Sequence, residues 1–281
     1  MKESLNKLAS QNNLNLIEAY PLSGGDINEV FLLKCAEGKF VVKINNASRF
    51  PKMFIAEAKG LALLENSKSF KIPKQLTIGT LGKDSYLLME YIVTGIKSGD
   101  FWKEFASKLV KLHKTSQPLF GLDFNNYIGS LPQQNQLCDT ATEFYISQRL
   151  EPQFRLAYNN GFKFENLSSF YKNISKEIPE ETPSLIHGDL WGGNYMVSKK
   201  GEAVLIDPAV AFAPREMDIA MMKLFGGFTE EVFIHYNSLY PLVTGWEERI
   251  KLWQLYYLLV HLNLFGASYL PQVKSIISKY S

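Results

Sequence analysis

His187-Gly188-Asp189-Leu190-Trp191-Gly192-Gly193-Asn194, with Leu205-Ile206-Asp207-Pro208 a little further on, is the stretch that gives the rest of the chain its meaning. Leu185-Ile186 before it and Val204-Leu205-Ile206 after it are apolar runs of strand type, so Asp189 and Asp207 each sit where a buried strand hands over to a loop. Polar chemistry is usually staged at such places. Asn194 follows Asp189 by five residues and Asp207 follows it by eighteen. A carboxylate, an amide and a second carboxylate at that spacing suit one kind of chemistry, in which the first orients a hydroxyl while the other two hold Mg2+ on the phosphates of a nucleotide. A lone His-Gly-Asp is an ordinary turn. The complete spacing points to catalysis, provided the N-terminal half supplies a phosphate-binding lysine.

The N-terminal half reads as strands over residues 14–17, 29–34 and 39–44, then 75–78 and 85–92, with Glu37-Gly38 and Gly82-Lys83-Asp84 as turns. Between the first two strands lies Ser23-Gly24-Gly25-Asp26-Ile27-Asn28. Its glycines suit an ordinary hairpin, and equally a close approach of backbone N–H groups to phosphate. Lys43, inside Val41-Val42-Lys43-Ile44, would reach solvent if its strand were a sheet edge. The helix expected over residues 54–65 changes that reading, because it carries Glu57 fourteen residues beyond Lys43. A strand lysine braced by a carboxylate on the next helix holds an ammonium against α- and β-phosphates. Five antiparallel strands and one helix make a small lobe, residues 1–91.

Residues 92–281 turn helical, so the fold class is α+β with a larger C-terminal lobe. Helices are expected over 101–114, 140–159, 167–174, 219–225, 230–240 and 247–264, with a loop over 121–136. His113, near the end of the first of these, reads as a polar packing residue rather than a ligand. Asp218, opening the helix at 219, is either an ordinary first-turn carboxylate or a functional one, and Gly226-Gly227 ends that helix. The aromatic stripe from Trp253 to Phe265 reads as core.

Composition sets outer limits. The chain has 281 residues, 46% hydrophobic, with a net charge of +2 and no basic run, so no nucleic-acid face is expected. No leader and no segment of membrane-span length stand out, and the expectation is a cytoplasmic protein with no membrane partner. A monomer is the expectation. Cys35 and Cys138 make no metal spacing and read as free thiols.

The sequence resembles the fructosamine kinase (ketosamine kinase) family, a branch of the protein-kinase-like, two-lobed fold close to aminoglycoside phosphotransferases and choline kinases. His187-Gly188-Asp189-Leu190-Trp191-Gly192-Gly193-Asn194 has the family's form, and its Trp-Gly-Gly distinguishes it from those relatives. Tyr127-Ile128-Gly129, Ile206-Asp207-Pro208-Ala209, Arg215-Glu216 with Asp218-Ile219-Ala220, Leu224-Phe225-Gly226-Gly227-Phe228 and His261-Leu262-Asn263-Leu264-Phe265-Gly266 resemble further family blocks. The resemblance covers most of the chain from Leu22 to Tyr269.

The resemblance implies a kinase using ATP and Mg2+ that phosphorylates O3 of a ketoamine, carried by a small amine or a glycated protein. It implies Asp189 as catalytic base, needing no strongly raised pKa, and Asn194 and Asp207 as metal ligands. Lys43 would meet the nucleotide phosphates braced by Glu57, beside Gly24, Gly25 and Asn28. Met89, Glu90, Tyr91 and Ile92 would form the hinge against adenine, Trp191 would stack on the acceptor sugar, Arg215 would lie at the acceptor, and His187 and Asp218 would support the site. The chain departs from the family pattern at Asp26, where some relatives carry a cysteine, and at Pro214. Two rival readings stand beside this one: a kinase of the aminoglycoside or choline type, whose polycationic substrates call for an acidic pocket, and a nucleotide-binding scaffold without turnover.

Overall fold

The computed structural model describes residues 2–22 and 27–281. Strands β1 (Leu16–Pro21), β2 (Glu29–Cys35), β3 (Gly38–Asn46), β4 (Gln75–Leu81) and β5 (Asp84–Glu90) form one antiparallel sheet in the order β1-β2-β3-β5-β4. Alternation sends successive side chains to opposite faces. Val42 of β3, Leu33 of β2 and Leu88 of β5 are buried on the outer face. There they meet Leu5 and Leu8 of α1 (Lys2–Gln11). Each of those leucines contributes about 2 kcal/mol by its burial.

The inner face carries Lys43 between Val41 and the β5 residues Leu87 and Met89. It is covered by α2 (Met53–Asn66), through Phe54, Ala58, Leu61 and Leu64. Among the described residues the small lobe therefore has two helices rather than the one expected. The core on this inner face runs without a break into the helical lobe.

The helical lobe begins with α3 (Phe101–His113). Residues 121–136, expected as a loop, contain a hairpin, β6 (Asn126–Ile128) with β7 (Leu131–Gln133). Buried amides hold it: Asn126 donates to Val210 O at 2.8 Å, and Asn126 Oδ1 accepts from Gln133 at 2.8 Å and Asn135 at 2.9 Å. Next come α4 (Ala141–Phe144), a π-helical turn at Tyr145–Leu150, α5 (Glu151–Asn159) and α6 (Leu167–Glu177).

Two short antiparallel pairs then place the polar residues. β8 (Ser184–Ile186) pairs with β11 (Ala211–Ala213), and β9 (Tyr195–Val197) pairs with β10 (Ala203–Leu205). Helices α7 (Glu216–Phe225), α8 (Glu230–Leu239) and α9 (Trp246–Phe265) follow, α3 packing on α8 and α7 on α9. Glu216 is fully buried and takes a bidentate contact from Arg249 at 3.1 and 2.6 Å and an indole bond from Trp253 at 2.7 Å. That cluster fixes the first turn of α7 against α9. A last helix beyond those expected, α10 (Leu270–Tyr280), buries Val273, Ile276, Ile277 and Tyr280. No helix among the described residues is long and apolar enough to cross a membrane.

Candidate active site

The two short strand pairs explain why residues far apart in sequence meet. Leu205 of β10 sits opposite Tyr195 of β9, so the residue before β9 and those after β10 leave the ladder at the same end. Asn194 and Asp207 are brought together in this way, and the Ile206 N–H donates to Asn194 O at 3.1 Å. Ala211 of β11 opposes Ile186 of β8, which sets His187 and Gly188 beside Ala209. A Cβ on Gly188, whose φ is +81°, would lie 2.1 Å from Ala209 O, so only glycine fits there.

Asp218, in the first turn of α7 and fully buried, accepts the backbone N–H of His187 at 2.8 Å and of Gly188 at 2.9 Å. The carboxylate anchors the loop that presents Asp189. His187 Nε2 donates to Ile206 O at 2.9 Å, leaving Nδ1 to accept the Asp189 N–H at 3.3 Å. Burial lowers the His187 pKa, against the pull of Asp218, so the ring stays neutral and ties both acidic loops together.

Asn194 Nδ2 donates to Asp189 O at 2.8 Å and to Asp189 Oδ2 at 3.0 Å. Its carbonyl is left as an acceptor. Lys43, buried at the sheet centre, places its ammonium 2.6 Å from Glu57 Oε1 and in contact with Asp207 Oδ1. Burial works against the ammonium, but the charges of Asp207 and Glu57 outweigh it and raise the Lys43 pKa. Burial raises that of Glu57, with Lys43 opposing. The chemistry requires no raised pKa at Asp189. Burial pushes it up to about 7, Asn194 opposing and Asp207 and Asp218 adding to the rise.

These groups line one cleft of about 660 Å³. Asn28, Lys43, Glu57, Asp189, Trp191, Asn194 and Asp207 all border it. Met89, Glu90, Tyr91 and Ile92 do not; they lead out of β5 toward the helical lobe, and Met89 and Ile92 are buried. Gly24 and Gly25, with Asp26, lie outside the described residues.

Arg215 requires a correction. It is 2% exposed and faces away from the cleft, with Nε and Nη2 on Glu181 Oε1 at 3.0 and 2.5 Å. Its remaining bonds go to Tyr236 OH, Tyr240 O and Pro241 O, and its guanidinium lies 3.8 Å from the Tyr240 ring centroid. Every donor face is committed within the fold, so it does not meet an acceptor.

The far wall of the cleft is aromatic, and part of it comes from the stripe read as core. Tyr257, His261 and Phe265, at successive helical turns of α9, border it with Phe225 and Tyr269. His261 stacks on Phe225 with centroids 4.4 Å apart and donates from Nδ1 to Tyr257 O at 2.8 Å. The i, i+4, i+8 spacing was visible in the sequence, but the same spacing describes a core face.

Trp191 is 40% exposed and folds across Gly193, where a Cβ would lie 2.4 Å from its ring. The same loop is clasped to the end of α7. Gly192 N–H donates to Gly226 O at 3.0 Å, and a Cβ on Gly227, whose φ is +95°, would lie 2.5 Å from Gly192 Cα. Gly227→Ala should displace the Trp191 loop and lower kcat about tenfold or more, because small misplacements near reacting groups are costly. Unchanged circular dichroism beside the reduced kcat would check this, and wild-type turnover would refute the clasp.

Asn194 and Asp207 present hard oxygen donors of the kind Mg2+ takes. No cluster of three or more His, Cys, Asp or Glu able to hold a metal occurs among the described residues. The pair therefore fits a cation whose remaining ligands are phosphate oxygens and water, which is how Mg2+ is usually held beside nucleotides.

Comparison with known proteins agrees across the chain. A family model described as Fructosamine kinase matches residues 1–281. The "Probable ketoamine kinase" of Enterococcus faecium is 38% identical over 267 residues, covering 92% of this chain and 94% of its own. The "Protein-ribulosamine 3-kinase, chloroplastic" of Arabidopsis thaliana is 35% identical over 272 residues, covering 92% and 81%. A solved structure from Haemophilus somnus, provisionally named a fructosamine-3-kinase, superposes with a TM-score of 0.89 at 29% identity, covering 100% of this chain and 97% of that one.

Proposed function

We propose, from the premise that the chain belongs to the fructosamine kinase family, that it transfers the γ-phosphoryl group of ATP to the O3 hydroxyl of a ketoamine with the help of Mg2+. The chain is a phosphotransferase of the ketoamine kinase type. The observation that carries the finer reading is the convergence of Lys43–Glu57, Asp189–Asn194 and Asp207 on one cleft.

Phosphoryl transfer asks mainly for alignment and charge neutralisation, because the charge of a loose transition state lies on phosphate oxygens. Lys43, held by Glu57, supplies a fixed ammonium for the phosphates. Asn194 and Asp207 would hold Mg2+, which when bound neutralises phosphate charge and orients the transferring group. Asp189, fixed by Asn194, aligns the acceptor hydroxyl and takes its proton. Family membership implies Met89 to Ile92 as the hinge against adenine, although none of the four borders the cleft among the described residues. Trp191 offers a flat face to the sugar at the cleft mouth.

The aromatic wall bears on the rival substrates. The carboxylates bordering the cleft among the described residues are Glu57, Asp189 and Asp207, all at the catalytic end. A polycationic aminoglycoside would find no acidic partner on the acceptor side, whereas a ketoamine asks for little charge. The test is ATP consumption with Mg2+ against fructoselysine- and ribuloselysine-type ketoamines, choline and two aminoglycosides, with Asp189→Asn as control. Turnover restricted to ketoamines and lost in the control is the expected result. Turnover of choline or an aminoglycoside instead would overturn the substrate assignment, and nucleotide binding with no turnover would favour the scaffold.

A further inference from the structure

A file of hydrogen bonds runs behind the catalytic loop and ends near the surface. Asp218, which holds the N–H groups of His187 and Gly188, also meets His113 Nε2 at 3.2 Å. His113 Nδ1 lies 2.7 Å from Tyr236 OH, and Arg215 Nη1 donates to that hydroxyl at 3.3 Å. Arg215 in turn pairs with Glu181, whose side chain is 18% exposed. His113 comes from the end of α3, Asp218 from α7 and Tyr236 from α8, so three helices meet in the file.

One arrangement of hydrogens satisfies the whole file. A carboxylate only accepts, so His113 Nε2 donates to Asp218. Nδ1 then accepts from Tyr236 O–H, and the phenol oxygen accepts from Arg215. The His113 and Asp218 side chains are both fully buried, so losing this bond would leave a carboxylate lone pair unmet in the interior. Asp218 would then be held only by the His187 and Gly188 N–H groups, and the loop that sets the direction of the Asp189 backbone would be fixed less firmly.

We propose that His113 is a positioning residue for phosphoryl transfer, acting through Asp218 to fix the loop that carries Asp189, with Tyr236 and Arg215 fixing His113 itself. Its kinetic part rests on the kinase reading given above. His113 touches no reacting atom. Its contribution lies in the chemical step and leaves ground-state binding alone, since nucleotide and acceptor meet other residues. Arg215 thus acts behind the catalytic loop and away from the acceptor.

The test compares His113→Leu, which fills the space without hydrogen bonds, with His113→Gln, whose amide reproduces the Nε2 donor. The Leu variant should lose about thirtyfold to a hundredfold in kcat per folded molecule, with KM for ATP and for the ketoamine within about twofold, as expected when alignment alone is lost. The Gln variant should return to within about threefold of wild type. Hydrogen exchange at the His187 and Gly188 amides, read without nucleotide or acceptor, should speed up at least tenfold in Leu and recover in Gln. Should the Leu variant fold too poorly to assay, Tyr236→Phe takes its place, with faster exchange at the same amides and a smaller fall in kcat. A Leu variant with unchanged kcat and exchange, or with a loss confined to KM, would overturn the proposal and leave His113 a packing residue. A wild-type enzyme that turns over no ketoamine would instead defeat the functional reading, while the exchange result would still decide the role of His113.

Discussion

Replacing Asp189 with asparagine should silence the enzyme and stabilise the protein in the same step. Catalysis falls because asparagine cannot accept the acceptor's proton. A loss of about a hundredfold or more in kcat, near 3 kcal/mol of barrier, is expected. Stability rises because the carboxylate is held in a site that disfavours its charge, its pKa pushed up to about 7 by burial. The folded protein keeps a proton that the unfolded chain releases near pH 4, so folding stability falls as pH climbs from about 4 to 7, and the full penalty is present above that. The shift corresponds to roughly 4 kcal/mol, or about 2–3 kcal/mol once water entering the cleft is allowed for. Asparagine can still accept the Asn194 amide. Thermal melts without nucleotide should therefore place the variant about 5 °C above wild type at pH 8, with the gain shrinking as pH falls toward 4. A variant that melts at or below the wild-type temperature at pH 8 would contradict the buried-charge account, and one within tenfold of wild-type kcat would remove Asp189 from the chemistry.

Lys43→Met should fail in the opposite direction, losing activity and stability together. Its ammonium lies between Glu57 and Asp207 with only 8% of the side chain exposed. Removing it leaves two carboxylates facing each other without a cation. Breaking a buried pair in this way costs about 3–5 kcal/mol, reduced here to about 2–4 because 40% of the Asp207 side chain is exposed. The folded-state pKa of Lys43 is raised, so its contribution is complete below its ordinary value near 10.5 and is lost only as pH rises beyond that. The Lys43 contribution is itself the same at pH 6 and pH 9, but in the variant Glu57, already raised by burial and now without its cation, takes up a proton as pH falls, so the destabilisation should be smaller at pH 6 than at pH 9. Phosphate contact is lost as well, and kcat/KM for ATP should drop by about a hundredfold or more. Adding Glu57→Gln to Lys43→Met should recover part of the stability and none of the activity. If Lys43→Met melts with wild type, the charge cluster contributes nothing to the fold.

The candidate site was readable in the sequence because most of its residues lie within two short strand-to-loop segments, and a lysine with a glutamate fourteen residues on is a local pattern. What escaped reading depends on distant partners or on weak periodicity. Arg215 was placed at the acceptor by resemblance alone, and its partners Glu181, Tyr240 and Pro241 come from both sides of it in sequence, where no local pattern marks them. The β6–β7 hairpin looked like a loop because two of its three buried positions, Asn126 and Gln133, are amides, and an asparagine bonded to Val210 O looks the same in sequence as one in water. Leu5 and Leu8 were too few to mark α1 as a packed helix. In α9 periodicity identified an apolar face but not which part of it borders a cavity. The five strands were legible for the converse reason, since Val42 and Lys43 alternate between two faces that are differently filled.

The clasp between Gly192 and Gly227 limits how this loop could change over evolutionary time. A methyl group on Gly227 meets the α-carbon of Gly192, and one on Gly192 would come within 3.0 Å of the α-carbon of Gly227. Neither partner has a side chain left to trim, so a substitution at one cannot be rescued by a second at the other. A single-step walk through sequence space finds no neutral path across this pair. Variation in what the enzyme accepts has to enter elsewhere, through walls made of side chains such as Phe225 and Phe265, while the point at which the loop is tied to α7 stays where it is.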